Sequence, residues 1–307
     1  MKEYFLKNLP LIAVFTCLLY PFLSFAKMQV IPLTKTHDGH FELMASINKV
    51  QAKFVLDTGA TGTVIDTNKL NMFGITKNQE KIDGVRVGDA DTGKIDTFQV
   101  DIEQFSIGQL ELKIKSIYAN DKSGQFDADV VGLIGHDALS EINALLDVKN
   151  AQLLIPENLQ DIEILLGSSA VQVYKTLELQ QSAMGFSFID AVLLGNQVRL
   201  LVDSGAPELI LDENVLIELG VELENHPTAK SVVAEGIELP MKVFKKGHIS
   251  IGDAQLIDDF MTTDFGALMN AVNSPNQPRL IGVLGNKHLA QLSTIIDVKN
   301  AKLYIQL

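Results

Sequence analysis

The chain has 307 residues, a formal net charge of −13 and 47 % hydrophobic residues. This length allows one large or two medium domains, and the composition is that of a globular protein rather than a disordered one. The acidic balance argues against nucleic acid as a partner, because no basic surface would follow the phosphates.

The first 26 residues have the pattern of a secretory signal peptide. Two lysines precede an apolar stretch of about 15 residues, and Ser24 and Ala26 supply the small residues of a cleavage site. The stretch is short for a membrane span, so an uncleaved anchor is the weaker alternative. Cys17, the only cysteine, lies inside this segment. We therefore expect an exported protein, periplasmic or secreted, without disulfides or thiol chemistry, that meets the membrane only through its signal peptide.

The segments that follow are mostly strand-like, beginning at residues 28–33. Alternating apolar and polar residues predict three further strands, at residues 41–48, 98–107 and 111–118. Three short helices are predicted at residues 137–141, 213–219 and 287–291. Residues 156–169 are interpreted as the connection between the two halves of the chain, with a plain surface linker as the alternative. We therefore expect a mainly β chain.

An internal repeat organises the whole sequence. FVLDTGATGTVID at residues 54–66 recurs as LLVDSGAPELILD at residues 200–212. In the same order, VGLIGHDAL at 131–139 recurs as IGVLGNKHL at 281–289, and DVKNA at 147–151 recurs at 297–301. We expect two lobes of similar size, residues 27–165 and 166–307, in a duplicated fold.

Each copy ends an apolar run at an aspartate and then turns on a glycine. The matched residues are Asp57, Thr58, Gly59 and Ala60 in the first copy and Asp203, Ser204, Gly205 and Ala206 in the second. A hydroxyl after the aspartate can brace such a turn, and glycine lets another backbone approach closely. One such turn would be unremarkable, whereas two in equivalent places of a duplicated fold indicate a shared site.

Duplicated lobes pack about an approximate twofold axis, which would bring Asp57 and Asp203 together. Two adjacent carboxylates cannot both ionise cheaply, so one would hold a proton and the pair would titrate as a unit. The charged member can take a proton from water while the neutral member hydrogen-bonds a substrate carbonyl. This pair would hydrolyse an amide without a metal.

These motifs resemble those of aspartic proteases. Asp-Thr-Gly-Ala and Asp-Ser-Gly-Ala match the family's active-site signature, and Leu133-Ile134-Gly135 and Val283-Leu284-Gly285 match the element that backs it. The resemblance covers nearly the whole chain after residue 26. It combines retropepsin-like lobes with a pepsin-like, single-chain arrangement.

The resemblance implies an all-β fold of two pseudo-twofold-related acid-protease β-barrel lobes with a few short helices. It implies an endopeptidase that acts on peptides or proteins through Asp57 and Asp203, without a cofactor or metal. Thr58 and Ser204 would lock the two loops together, and the residues after them, Gly59, Ala60, Gly205 and Ala206, would support the loops and line the cleft. One chain supplies both aspartates, so we expect a monomer, with a lobe-exchanged dimer as the alternative.

The resemblance also implies a flap over the cleft. Candidate hairpins lie at residues 85–95, with Gly88 and Gly93, and at residues 231–239, with Gly236. The chain departs from the family in two places. His136 and Asn286 stand where many retropepsins have an arginine, and Pro207 follows the second signature.

Other interpretations are weaker. Residues 89–93 faintly resemble a calcium loop but lack its ligand pattern, and the cluster at residues 37–40 is interpreted as a solvated turn rather than a metal site. For His136 and His288 we favour surface roles at helix starts, with tuning of the site as the alternative. An actin-like or sugar-kinase-like ATPase would need long helices between the strands. A non-catalytic, peptide-binding relative of the proteases is the main alternative.

Overall fold

The computed structural model describes residues 28–76, 81–85, 94–122, 125–167, 174–182, 185–232, 238–266, 273 and 277–306. The predicted signal peptide and all three flap glycines, Gly88, Gly93 and Gly236, lie outside these residues. Within the described part, no helix is long and apolar enough to span a membrane.

The chain is mainly β, as predicted, and forms two lobes. Among the residues that the structure describes, the first lobe contains thirteen strands: β1 Met28–Pro32, β2 Thr34–Lys35, β3 Phe41–Ile47, β4 Val50–Leu56, β5 Val64–Asp66, β6 Lys81–Val85, β7 Lys94–Asp101, β8 Phe105–Ile107, β9 Leu110–Leu112, β10 Ser116–Asn120, β11 Val130–Ile134, β12 Leu145–Asp147 and β13 Gln152–Pro156. The described part of the second contains eleven: β14 Tyr174–Glu178, β15 Gln180–Gln181, β16 Ser187–Leu193, β17 Asn196–Val202, β18 Ile210–Asp212, β19 Glu224–Val232, β20 Glu238–Ile251, β21 Ala254–Thr263, β22 Arg279–Leu284, β23 Thr294–Asp297 and β24 Lys302–Gln306.

Helices are few and short. The described ones are a 3₁₀ helix at Thr67–Phe73, α1 His136–Glu141, α2 Leu159–Leu166, α3 Glu213–Glu218 and α4 Asn286–Gln291. The three predicted helices are confirmed as α1, α3 and α4 to within a residue. Asp66 and Asp212, which are equivalent in the repeat, cap the 3₁₀ helix and α3 through their side chains.

The same topology holds the active-site turn in both lobes. Strand β11 runs between β4, to which it is parallel, and β5, to which it is antiparallel. Strand β22 lies in the same way between β17 and β18. The glycines inside these central strands permit the close packing: a Cβ on Gly132 would lie 2.1 Å from the Val64 carbonyl oxygen, and one on Gly282 would lie 2.3 Å from that of Ile210.

A six-stranded sheet joins the lobes, in the order β1-β13-β12-β23-β24-β14. Its two central strands lead into the repeated DVKNA segments, each ending at the aspartate that begins the segment, and pair antiparallel, with Leu146 opposite Ile296. These residues are equivalent in the repeat, so the approximate twofold axis passes between them. The main apolar core extends through both lobes and includes the fully buried Phe41, Phe105 and Phe260.

Two predicted strands were wrong in their extent, and the connecting segment has more structure than a linker. The predicted strand at 98–107 is interrupted at residues 102–104, between β7 and β8, and the one at 111–118 is split between β9 and β10. Residues 156–169 are not a plain surface linker, because they contain α2. Asn158 and Asp161 form a capping box at its start, and Ile162 is buried beside the six-stranded sheet.

Candidate active site

Each catalytic candidate lies one residue beyond the end of a strand. Asp57 follows β4, and its N–H donates to the Ile134 carbonyl of β11 over 3.0 Å. Asp203 follows β17, and its N–H donates to the Leu284 carbonyl of β22 over 3.1 Å. Strand pairing therefore fixes the backbone of both aspartates before the chain turns, so the two positions are built in the same way.

The two turns face each other across the lobe interface. A Cβ built on Gly59 would lie 2.4 Å from Cγ of Asp203, and one built on Gly205 would lie 2.6 Å from Cγ of Asp57. Each carboxyl group therefore packs directly on the glycine of the opposite lobe, where no side chain would fit. The Asp57 and Asp203 side chains are also hydrogen-bonded to each other.

The hydroxyl residues connect the two loops through symmetric hydrogen bonds. The Thr58 N–H donates to Ser204 Oγ over 3.0 Å, and the Ser204 N–H donates to Thr58 Oγ1 over 2.9 Å. Each hydroxyl then donates onward to the opposite strand, Thr58 to the Val202 carbonyl and Ser204 to that of Leu56. Both side chains are buried, so these contacts couple the positions of the two aspartates.

The electrostatic environment raises the pKa of one carboxyl group of the pair. Removal from water raises the pKa of Asp203 well above its usual range, and the nearby Asp57 charge and hydrogen bond raise this pKa further. The N–H groups of Gly205 and Gly59 oppose this effect, because they stabilise the ionised form. The raised pKa favours the protonated form of Asp203 at pH values where an isolated carboxyl is ionised, and adjacent carboxyls of this kind titrate as a coupled pair.

The later glycine motif supports each turn from behind. A Cβ on Gly135 would lie 2.5 Å from the Gly62 carbonyl oxygen, and one on Gly285 would lie 2.5 Å from that of Ala206. The next residue in each copy donates its backbone N–H to the turn, His136 to the Ala60 carbonyl and Asn286 to the Ala206 carbonyl. The spatial relationship between the two repeated motifs therefore matches the one that the resemblance implied.

Sequence reasoning identified a turn at residues 37–40 but missed that it lies beside the site and has an equivalent in the second lobe. Residues 36–40 and 182–186 are equivalent in the repeat, and in both a hydroxyl side chain accepts a backbone N–H four residues later. A Cβ on Gly39 would lie 3.2 Å from Cβ of Pro207, so the first turn packs against the loop after Asp203. The spacing Thr36-x-x-Gly39 and Ser182-x-x-Gly185 would have identified them.

Two hairpins stand where flaps were predicted. β6 pairs with β7 antiparallel in the first lobe, and β19 pairs with β20 in the second. The tips that carry Gly88, Gly93 and Gly236 lie outside the described residues. Their role as flaps stays a prediction.

His288 corrects one prediction. It lies in α4 and is fully buried rather than at the surface. Both ring nitrogens have partners there: Nδ1 accepts the Leu209 N–H over 2.9 Å, and Nε2 lies 3.1 Å from Asp258. Burial lowers its pKa.

The structure gives the polar cluster at residues 37–40 a partner within its own turn. His40 pairs with Asp38 over 3.2 Å. No cluster of three or more metal-ligating side chains occurs among the described residues.

Comparison with known proteins agrees with this geometry. Residues 43–141 match the model of the gag-polyprotein putative aspartyl protease family. Among solved structures, the chain is similar to an aspartic proteinase from Irpex lacteus, with a TM-score of 0.57 and 11 % sequence identity, covering 91 % of this chain and 97 % of that one. No curated protein sequence matches the chain.

The fold and the paired turns define the class of retropepsin-like and pepsin-like aspartic proteases. The family match lies in the first lobe, and the structural likeness extends over both lobes. The first lobe therefore matches an aspartyl protease family, and the chain as a whole has the fold of a pepsin-like aspartic proteinase, which supports a peptide hydrolase.

Proposed function

We propose that this protein is an exported aspartic endopeptidase in which Asp57 and Asp203 activate water for attack on a peptide bond. The observation that carries the proposal is the reciprocal packing of each carboxyl group on the other lobe's glycine. This arrangement supports a single site formed by both lobes of one chain, and hence a monomeric enzyme. The signal-peptide pattern at residues 1–26 supports export to the periplasm or beyond.

The proposed mechanism uses the shared proton of the dyad. The ionised Asp57 removes a proton from water, whose oxygen attacks the scissile carbonyl carbon. The protonated Asp203 donates to the carbonyl oxygen as negative charge develops there. The tetrahedral intermediate then collapses: Asp57 returns its proton to the leaving nitrogen, the C–N bond breaks, and the new carboxyl group remains with the other fragment.

The alternatives are a peptide-binding relative without turnover and, further off, an ATPase. A fold without long helices in the described residues opposes the ATPase, since the longest described helix, α2, has 8 residues. Two intact aspartates oppose the inactive relative. The raised pKa of Asp203 also opposes it, because perturbed pKa values cluster at functional sites.

The test is peptide cleavage by the chain that starts at Lys27. Activity should peak at acidic pH, be blocked by pepstatin, and fall at least about 10³-fold in Asp57→Asn and Asp203→Asn, since loss of either dyad member removes acid–base catalysis. Asp253→Asn, at an exposed surface pair with Lys175, is the matched control and should leave activity unchanged. Full activity in either dyad variant would exclude this mechanism, and peptide binding without cleavage by the wild type would favour the inactive relative.

Export has its own test. The full chain expressed in a bacterial host with a periplasm should appear outside the cytoplasm with its first 26 residues removed. Retention of those residues in the cytoplasmic fraction would contradict export.

A further inference from the structure

Asn286 makes hydrogen bonds to both lobes from a fully buried position. It is the first residue of α4, and its side-chain Nδ2 donates to the Ser204 carbonyl over 2.7 Å and to the Gly39 carbonyl over 3.0 Å. Both partners are acceptors, so only the NH₂ group of the amide can face them. The contact therefore ties the loop after Asp203 to the turn at residues 36–40 of the first lobe.

The Ser204 carbonyl belongs to the peptide unit that serves the dyad. This carbonyl and the Gly205 N–H share one planar peptide group, and that N–H donates to Asp203 Oδ1 over 2.6 Å. A side chain that fixes the direction of the carbonyl therefore also fixes the direction of the N–H. Asn286 thus reaches the Asp203 carboxyl through one rigid peptide unit.

We propose that Asn286 is a positioning residue, which orients the Ser204–Gly205 peptide toward the Asp203 carboxyl and fastens this loop to the opposite lobe. The inference rests on the proposed function of the dyad. It concerns a position where the chain departs from the arginine of many retropepsins.

The equivalent position of the first lobe lacks this contact. His136 donates its backbone N–H to the Ala60 carbonyl as Asn286 does to that of Ala206, but its ring Nδ1 is buried without a hydrogen-bond partner in the described structure. Asp57 Oδ1 accepts instead from the Ala60 N–H over 2.8 Å. The brace formed by the Asn286 side chain and the Ser204 and Gly39 carbonyls therefore acts on the Asp203 side of the dyad. The two lobes are not equivalent at this position.

The charged groups around this brace are engaged elsewhere. Asp57 faces Asp203 from the opposite loop and is the charged group that perturbs it. On α4, Lys287 lies 2.8 Å from Asp258, which also contacts His288. On the turn at residues 36–40, His40 pairs with Asp38. A change in Asn286 should therefore act on Asp203 through hydrogen bonding rather than through a new charge.

The experiment compares Asn286→Ala, Asn286→Asp and the control Asn300→Ala in the chain starting at Lys27. Asn300 also uses its amide to bind a buried group, Asp297, but in the turn after β23. Carbon NMR of labelled aspartate carboxyls gives the Asp203 titration without any need for turnover, with assignment by Asp203→Asn. Peptide cleavage gives kcat, KM and the pH profile, and thermal unfolding gives Tm.

In Asn286→Ala we expect the Asp203 titration and the basic limb of the kcat profile to move to higher pH by about half a unit or more. This follows because a misdirected Gly205 N–H stabilises the carboxylate less. kcat should fall about tenfold or more, with KM within about twofold. In Asn286→Asp, kcat should fall at least as much at neutral pH. It should recover toward acidic pH, where the introduced carboxyl regains a proton to donate. Asn300→Ala should lower Tm only.

The outcomes separate the two proposals. An unchanged Asp203 titration and an unchanged pH profile in both Asn286 variants, with only Tm lowered, would overturn the positioning role. If Asn286→Ala does not fold, the pH dependence of Asn286→Asp decides, and a flat response contradicts the proposal. A shifted titration in a protein that cleaves no peptide would support the role of Asn286 while rejecting the proposed function.

Discussion

Thr58 and Ser204 exchange backbone-to-hydroxyl hydrogen bonds across the lobe interface, at 3.0 Å and 2.9 Å. They are 146 positions apart in sequence and equivalent in the repeat. Each residue donates its backbone N–H to the hydroxyl oxygen of the other. Because the preceding residues are Asp57 and Asp203, this exchange sets the relative position of the two carboxyl groups. The candidate active site is therefore formed by the contact between lobes and not by either lobe alone.

Loss of one hydroxyl should weaken the interface and the site together. Thr58→Val leaves the buried Ser204 N–H without its acceptor, and we expect the free energy of unfolding to fall by about 1–3 kcal/mol, as measured by urea denaturation. Thr58→Ser keeps the hydroxyl and should retain most of the stability. In a double-mutant cycle with Ser204→Ala, the two losses should not be additive. Additive losses would show that the two residues act independently.

A methyl group at either signature glycine should abolish activity. In Gly205→Ala the new Cβ would lie 2.6 Å from Cγ of Asp57, so the carboxyl must move away. We expect kcat/KM to fall about 100-fold or more, since misplacement of a catalytic group by about 1 Å has such an effect. Gly266→Ala is the control, because its new Cβ would meet only the exposed side chain of Asp264. Wild-type activity in Gly205→Ala would contradict the packing of the dyad.

The raised pKa of Asp203 predicts a stability cost at neutral pH. The native state holds a proton on Asp203 that the unfolded chain releases near pH 4, so the native state binds more protons above that pH and stability falls as pH rises through the native pKa. Each unit of upward pKa shift costs about 1.4 kcal/mol above the native pKa. Asp203→Asn should therefore raise Tm at pH 7 and change it little at pH 3. An equal change at both pH values would exclude this origin.

The repeated DVKNA turns should differ in their contribution to stability. Asp297 is buried and accepts from the Asn300 backbone and side chain and from the Tyr304 hydroxyl over 3.2 Å. Among the described hydrogen bonds, Asp147 accepts two, from the backbone and the side chain of Asn150, and has no counterpart of the Tyr304 bond. We expect Asp297→Ala to cost about 3 kcal/mol in urea denaturation and Asp147→Ala about 1 kcal/mol less, since one bond to a charged group is worth that order. Equal losses would mean that the Tyr304 bond contributes nothing.

Several features could be predicted because they depend on local chemistry. The two aspartates, their hydroxyl and glycine neighbours and the later glycine motif are short patterns with fixed spacing, and α1, α3 and α4 follow at the expected places. The breaks between β7 and β8 and between β9 and β10 could not be found in this way. Alternation is interrupted at each break by only two consecutive polar residues, Glu103-Gln104 and Lys115-Ser116, a lapse too short to separate a strand end from ordinary variation within a strand.

Side-chain environments were also beyond local reasoning. His288 follows the same kind of motif as His136 but is enclosed, because Asp258 on β21 and the Leu209 N–H occupy its two ring nitrogens. Asn286 stood out only as a departure from an arginine. The carbonyl groups that it binds, those of Ser204 and Gly39, are 82 and 247 positions away in sequence, and no spacing rule links these residues to Asn286.

The sequence by itself determined that the chain is a duplicated, mainly β protein with two acidic turns, because repeats and short turn motifs are local and survive any change in packing. Only the tertiary structure decided that these turns meet. Pairing of β12 with β23 sets the twofold axis at Leu146 and Ile296, and this axis brings Asp57 to Asp203. Proximity then raises the pKa of Asp203, an effect of desolvation and neighbouring charge that does not exist until the two lobes are in contact.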